Sequence, residues 1–153
     1  MPGLERLYFA DSDEANQLIA RDPLALLVGF VLDQQVTVQK AFSGPLEIRE
    51  RLGGLDAGQL AATDLEPAFR ERPAIHRFPG SMAKRVHDLA AHIVERYSGD
   101  AGRVWGDAKT SDELRANLRA LPGFGEMKVK ALADYQAGKR AHKAAMRAQA
   151  QAT

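Results

Sequence analysis

The chain has no cysteine among its 153 residues. That absence excludes a disulfide framework, a thiol nucleophile, a cysteine-based zinc site and any cysteine-ligated iron–sulfur cluster. Long apolar runs are missing too. The longest, Leu24 to Leu32, falls far short of the roughly 20 residues that cross a bilayer. The first residues include Glu5, Arg6, Asp11 and Asp13, where a signal peptide needs a basic start and an apolar stretch. A soluble, cytoplasmic protein is the expectation. Neither a GxxxxGK[ST] phosphate loop nor a GxGxxG fingerprint occurs. Charge of one sign is not in excess, with 21 basic against 20 acidic side chains and a net charge of +1, so the total does not announce a polyanionic partner. Its distribution says more. Residues 1 to 72 carry 7 basic and 12 acidic groups, residues 73 to 122 carry 8 and 6, and residues 123 to 153 carry 6 and 2.

What is present is apolar residue at 45%, enough for one compact domain, patterned for helices. From Ser81 to Tyr97, Met82, Val86, Leu89, Ala90, Ile93 and Tyr97 keep helical spacing with charges elsewhere around the circumference. Ser81 is the expected cap of that helix. Ser12 to Ala20 reads as an earlier helix with Asp11 as cap and Glu14 at capping-box distance. Asp22 and Pro23 open another, apolar around its whole circumference and therefore the expected centre of the fold. Thr37 caps a segment from Val38 to about Arg51, with a kink or break expected at Gly44 and Pro45. Short helices are expected at 57–62 and 65–72, a further one from Ser111 to Ala120, and another over 126–137. Residues 6 to 9 alone hint at a strand. The expected class is all-α. Residues 1–138 form the expected helical domain, and 139–153, basic with Met146 as the only large apolar side chain, a peripheral helix or tail.

Leu121-Pro122-Gly123-Phe124-Gly125-Glu126-Met127-Lys128 lies between two amphipathic segments. Gly123 and Gly125 permit positive φ and close approach, so successive backbone N–H groups can be exposed at the mouth of the second helix. Such a helix start accepts phosphate, with Lys128 and Lys130 in its first turns. Phe124 can point inward and pin the helices. A Pro–Gly turn is also a common tight connection between helices with no further role.

This stretch resembles the hairpin of the helix-hairpin-helix/Gly-Pro-Asp (HhH-GPD) superfamily of base-excision DNA glycosylases. Residues Asp22 to Val38, containing Asp33-Gln34-Gln35, are similar to that superfamily's buried helix ending in a QQ-containing turn. Phe78-Pro79-Gly80-Ser81-Met82-Ala83-Lys84-Arg85 resembles the start of a helix that carries a small residue followed by Lys or Arg. Together these cover roughly residues 20 to 131, and within the superfamily the resemblance is to a small bacterial family. It implies an all-helical glycosylase-like fold that grips damaged or distorted duplex DNA as a monomer associated with the nucleoid. Hairpin amides would hold phosphates, and a side chain would enter the minor groove as a base is flipped out. The DNA-binding set implied is Gly123, Phe124, Gly125, Glu126, Met127, Lys128, Lys130 and Lys84, with Gln34 the first and Gln35 the second choice for the inserted side chain. The glutamine pair also reads as a helix end satisfying its own carbonyls. The resemblance further implies K+ or Na+ on hairpin carbonyls near Leu121 and Gly123, and no other cofactor.

One element of the pattern is absent. The superfamily uses an aspartate about twenty residues beyond the hairpin, and that count leads to Lys143 and Ala144. Glu126 and Asp134 are the only acids downstream of Gly123, and Asp134 comes about three helical turns after it. None of Asp33, Glu126 and Asp134 is assigned as catalytic. Where lyase members carry a nucleophilic lysine this chain has Met127. In the small bacterial family a longer segment follows the hairpin helix. Two readings stay open: a segment near residues 131–138 has been lost, or the encoded chain is longer there and holds an acid. His76, His87, His92 and His142 lack metal-ligand spacing and read as packing or surface residues. Ser81 and Ser111 read as helix caps, and Trp105 and Tyr97 as core. Three functions remain: a monofunctional DNA N-glycosylase, a non-catalytic binder of distorted DNA, and a protein-interaction module whose basic end is a solvated face.

Overall fold

The computed structural model describes residue 10 and residues 12–152, with side chains through residue 139. The described residues hold nine helices and no strand: α1 (Asp13–Arg21), α2 (Pro23–Leu32), α3 (Val38–Leu52), α4 (Ala57–Ala62), α5 (Glu66–Arg70), α6 (Pro79–Tyr97), α7 (Arg103–Gly106), α8 (Ser111–Arg119) and α9 (Glu126–Ala152). Residues 6–9, where a strand was expected, lie outside the described residues. None of these helices is alone long and apolar enough to cross a membrane.

α2 is the axis of the fold. The Asp22 carboxylate accepts a hydrogen bond from the Leu24 N–H at 3.0 Å, Pro23 occupies the first turn, and every residue from Leu24 to Leu32 is buried. Each large apolar side chain removed from water there contributes about 1.5–3 kcal/mol. α1, α3 and α6 pack around α2, and α4 and α5 pack on α6. Two glycines set the α2–α3 approach: a Cβ on Gly29 would stand 2.3 Å from Phe42 Cδ1, and one on Gly44 would stand 2.4 Å from Leu32 Cδ1.

Several helix ends differ from the expectation. Ser12, whose hydroxyl accepts from the Ala15 N–H at 3.1 Å, caps α1, a role expected of Asp11. Thr110 takes the cap expected of Ser111, because its hydroxyl reaches the Glu113 N–H at 3.1 Å. Ser81 lies inside α6, which starts at Pro79 without a side-chain cap. α3 runs through Gly44 and Pro45 unbroken, both residues being buried in its packing face. The boundary expected after residue 138 falls within α9, whose backbone stays helical to Ala152. Tyr97 is buried, as expected, and Trp105 packs on the core half-buried.

The loop before α6 is tied to α3. Lys40 Nζ donates to Ala74 O at 2.8 Å, and the Arg51 guanidinium donates to the carbonyls of Ala68 and Glu71, each at 2.8 Å. Between them sits His76, 0% exposed. Its Nδ1 accepts from the Phe78 N–H at 3.0 Å, which assigns the proton to Nε2. Nε2 in turn donates to Leu32 O at 3.1 Å and Gln34 O at 3.0 Å. The packing role read for this histidine is thus that of a neutral clamp on the end of α2.

Burial pushes the His76 imidazole below its ordinary value of 6.5, and that of His92 likewise. Below pH 6.5 the unfolded chain binds protons that the folded chain refuses, so stability is full above that pH and falls as pH drops toward the lowered values. His76→Ala leaves carbonyls without a donor and should cost about 1–3 kcal/mol at neutral pH. It should also flatten the acid-side decline, which urea unfolding midpoints between about pH 7.5 and 5.5 will measure.

Candidate nucleic-acid interface

α8 and α9 meet through a turn over residues 120–125, with Gly123 at φ +84°. The Phe124 N–H turns inward to Leu121 O at 3.3 Å, and its ring, 8% exposed, packs on Phe30 with centroids 6.2 Å apart. Phe124 is therefore a core anchor and offers no side chain to a ligand. The neighbouring positions are open. Gly123, Gly125 and Glu126 are exposed and Met127 is 88% exposed. No hydrogen bond among the described residues uses the N–H groups of Gly125, Glu126 or Met127. Gly125 O accepts from the Val129 N–H at 3.0 Å, so Gly125 is the N-cap of α9 and its own N–H stands at the positive end of the helix.

The turn after α2 lies against this hairpin: a Cβ on Gly123 would meet Val31 Cγ2 at 3.8 Å. The two glutamines have different environments. Gln34 is held on all sides. Its Nε2 donates to Val31 O at 3.3 Å, its Oε1 accepts from Arg85 at 2.9 Å, and its carbonyl takes the His76 bond. Gln35 is exposed and sits at φ +56°, a left-handed conformation that glycine adopts more cheaply. Gln34 thus fits the frame and Gln35 the projecting position, the reverse of the expected order.

The cations sort similarly. Lys128 is half-buried, its Nζ 3.4 Å from Gly123 O, and burial lowers its pKa while the nearby Asp33 charge raises it. Arg85 is close enough to act on the same ammonium. Lys84, expected at the interface, pairs with Asp88 at 3.1 Å and lines a cavity of about 440 Å³ beside α4 and α5. One residue along α6 turns the side chain by about 100°, and it is Arg85 that reaches the QQ turn. Lys130 is paired with Asp134 at 2.8 Å. The carbonyls expected to hold a monovalent cation are both engaged, Leu121 O by the Phe124 N–H and Gly123 O by the Lys128 ammonium. The residues present therefore supply their own positive charge there, and no preformed ion site fits.

Of the acids near the hairpin, Glu126 is forked by Arg119 at 2.7 and 3.2 Å, which holds its carboxyl below the ordinary range. The Lys130 contact does the same for Asp134. Asp33 makes no side-chain hydrogen bond or ion pair among the described residues. It borders a mostly apolar cavity of about 210 Å³, also lined by Phe30, Val38, Phe42, Ala131 and Tyr135. The model of the HhH-GPD superfamily base excision DNA repair proteins matches residues 28–149. The chain belongs to that superfamily. The match runs from the middle of α2 through the hairpin and most of α9, so it contains every residue of the interface described above. No curated protein and no solved structure matches the chain. HhH-GPD membership associates the protein with base-excision repair and makes DNA its partner.

Sequence reasoning missed His76 and Tyr135 as parts of this region, and it passed over Arg85 for Lys84. Helical phase could have found Arg85, since Met82, Val86 and Leu89 fix the inward face of α6. His76 gave no signal, because its partners are backbone carbonyls 42 and 44 residues away.

Glu126 places a negative charge at the mouth of a helix start otherwise suited to anions. Glu126→Gln removes that charge and frees Arg119. It should raise duplex DNA affinity several-fold and steepen the log–log salt slope by about 0.9, as one added phosphate contact does. Fluorescence anisotropy titrations over a salt series will check this.

Proposed function

We propose that this protein binds duplex DNA at damaged or distorted positions, holding a backbone phosphate on the hairpin and presenting Gln35 to the opening left by a displaced base. The observation that carries the reading is the open start of α9, where three adjacent N–H groups lack internal acceptors beside Lys128 and Arg85. Oriented amides at a helix N-terminus bind an anion without ordering a flexible side chain. The strained backbone of Gln35 supports a role at the same surface, since a non-glycine residue is held left-handed only where its surroundings over-determine it. A backbone-cutting activity has no support, because Met127 stands where a Schiff-base lysine would and carries no nucleophile. A second reading, removal of the base by a monofunctional N-glycosylase, is favoured by one feature. That feature is the cavity beside the turn, with its unpaired carboxylate.

Gly125→Asp tests the hairpin. No atom lies within 4 Å of the added Cβ, and aspartate is a favourable N-cap, so the variant should fold at least as stably as the wild type. Its carboxylate would occupy the amides meant for phosphate, and duplex affinity should drop by ten-fold or more in anisotropy titrations. Unchanged, salt-independent affinity would point instead to the protein-interaction reading.

Gln35→Gly separates strain from function. Relief of the left-handed backbone should raise stability by up to about 1 kcal/mol in urea melts. The preference for duplexes with an abasic site or mismatch over matched duplex should shrink at the same time.

A further inference from the structure

The cavity beside the hairpin has a chemistry narrow enough to name its occupant. At about 210 Å³ it is smaller than the roughly 300 Å³ at which pockets for drug-sized ligands begin, room for a single ring system. Phe30 and Phe42, edge to face with centroids 5.3 Å apart, form its aromatic floor. Val38, 43% exposed, stands at its open side. Two polar groups serve it. One is the half-buried Asp33, free of hydrogen bonds and ion pairs among the described residues. The other is Tyr135, whose buried hydroxyl has no hydrogen-bond partner. Burial raises the Tyr135 phenol further above its ordinary pKa of 10.0, so it can donate a hydrogen bond but is too weak an acid to protonate a departing base. His76, the nearest imidazole to the turn, is fully buried and committed at both ring nitrogens.

Resting on the DNA-binding reading above, we infer that this cavity receives a flipped-out, positively charged N-alkylated purine and that Asp33 is the carboxylate that promotes its release. Aromatic faces and one carboxylate attract a delocalised cation. The reaction needs no acid: the bond between C1′ and the base nitrogen breaks with its electron pair going to the base, which leaves neutral. Positive charge then develops on the sugar, faced by Asp33. Water adds at C1′ and gives up its proton to the Asp33 carboxylate and from there to solvent, leaving an abasic site. A neutral lesion such as uracil or hypoxanthine departs as an anion unless protonated, and no group at the cavity provides that proton. Of the three acids near the hairpin, Asp33 alone is unpaired, and it reaches the site from the end of α2 rather than from beyond the hairpin.

The test uses the full chain in excess over duplexes carrying N7-methylguanine, uracil or hypoxanthine, with abasic sites read by alkaline cleavage against a protein-free control. Release of methylguanine above the control, with none from the neutral lesions, is expected. Asp33→Asn should lower that rate about 100-fold or more while binding duplex DNA at least as tightly as the wild type. Val38→Trp, which fills the cavity from its open side, should abolish release with duplex affinity retained, and it stands in if Asp33→Asn does not fold. Salt-dependent DNA binding without release of methylguanine would overturn the inference and leave the DNA-binding reading intact. Equal release of the neutral lesions would overturn the substrate class, and full activity of Asp33→Asn would overturn the carboxylate. Absence of any DNA binding by the wild type would overturn both readings together.

Discussion

A buried helix cannot end for free inside a protein, because its last carbonyls have no intrahelical donors and water cannot reach them. α2 ends in this way. Its terminal carbonyl and that of Gln34 are served by one imidazole, delivered by a loop that Lys40 and Arg51 tie to α3. The clamp fixes the chain direction from Leu32 to Gln34. That direction determines where Asp33 meets the cavity, how Gln34 meets Arg85, and why Gln35 is driven left-handed and outward. A single neutral histidine thus underlies the placement of the whole turn, and its tautomer is set by the first N–H of the segment leading into α6.

The charges around the hairpin divide by partnership. Glu126 and Asp134 sit where a reader of the chain would look for an acid, one in the first turn of α9 and one two turns later, but each is exposed and neutralised by a cation on the same surface. An exposed, paired carboxylate faces high dielectric and contributes little to a charge developing elsewhere. Asp33 differs in being half-buried, unpaired and adjacent to an apolar wall. The arrangement moves the capacity to stabilise positive charge from downstream of the hairpin to upstream of it, while the phosphate grip stays where the LPGFG turn puts it.

The architecture was legible in the chain to an unusual depth, because it rests on local rules. Pro23 after a capping aspartate, nine consecutive buried residues, the 3.6 period from Met82 to Tyr97 and the LPGFG turn each carry their own signal. What was illegible depends on distance or degeneracy. Asp11 and Ser12, or Thr110 and Ser111, are adjacent residues that cap equally well on paper, and only the backbone entering the helix decides between them. Pro45 reads as a break, yet tertiary packing of Gly44 on Leu32 carries α3 through it. Gln34 and Gln35 are chemically identical, and their separation into frame and projection follows from bonds to Arg85 and His76 that span 51 and 42 residues.

α9 links the two halves of the site by simple geometry. Its first turn offers the phosphate-binding amides near Glu126, and Ala131 and Tyr135 on the same helix line the cavity. Those residues lie five and nine positions on, which at 1.5 Å per residue is a displacement of about 8 to 14 Å along one rigid axis. Successive nucleotides of one strand in B-form duplex are spaced by about 3.4 Å, so a base in the cavity belongs to a nucleotide about two to four steps from the phosphate held at the turn. Both contacts being on one helix, their spacing cannot adjust independently. A strand in ordinary stacked form keeps its bases inside the duplex and satisfies only the phosphate contact. A strand already bent or unstacked at the lesion can satisfy both, which makes deformability of the DNA, rather than hydrogen-bond readout of its sequence, the basis on which such a rigid arrangement discriminates.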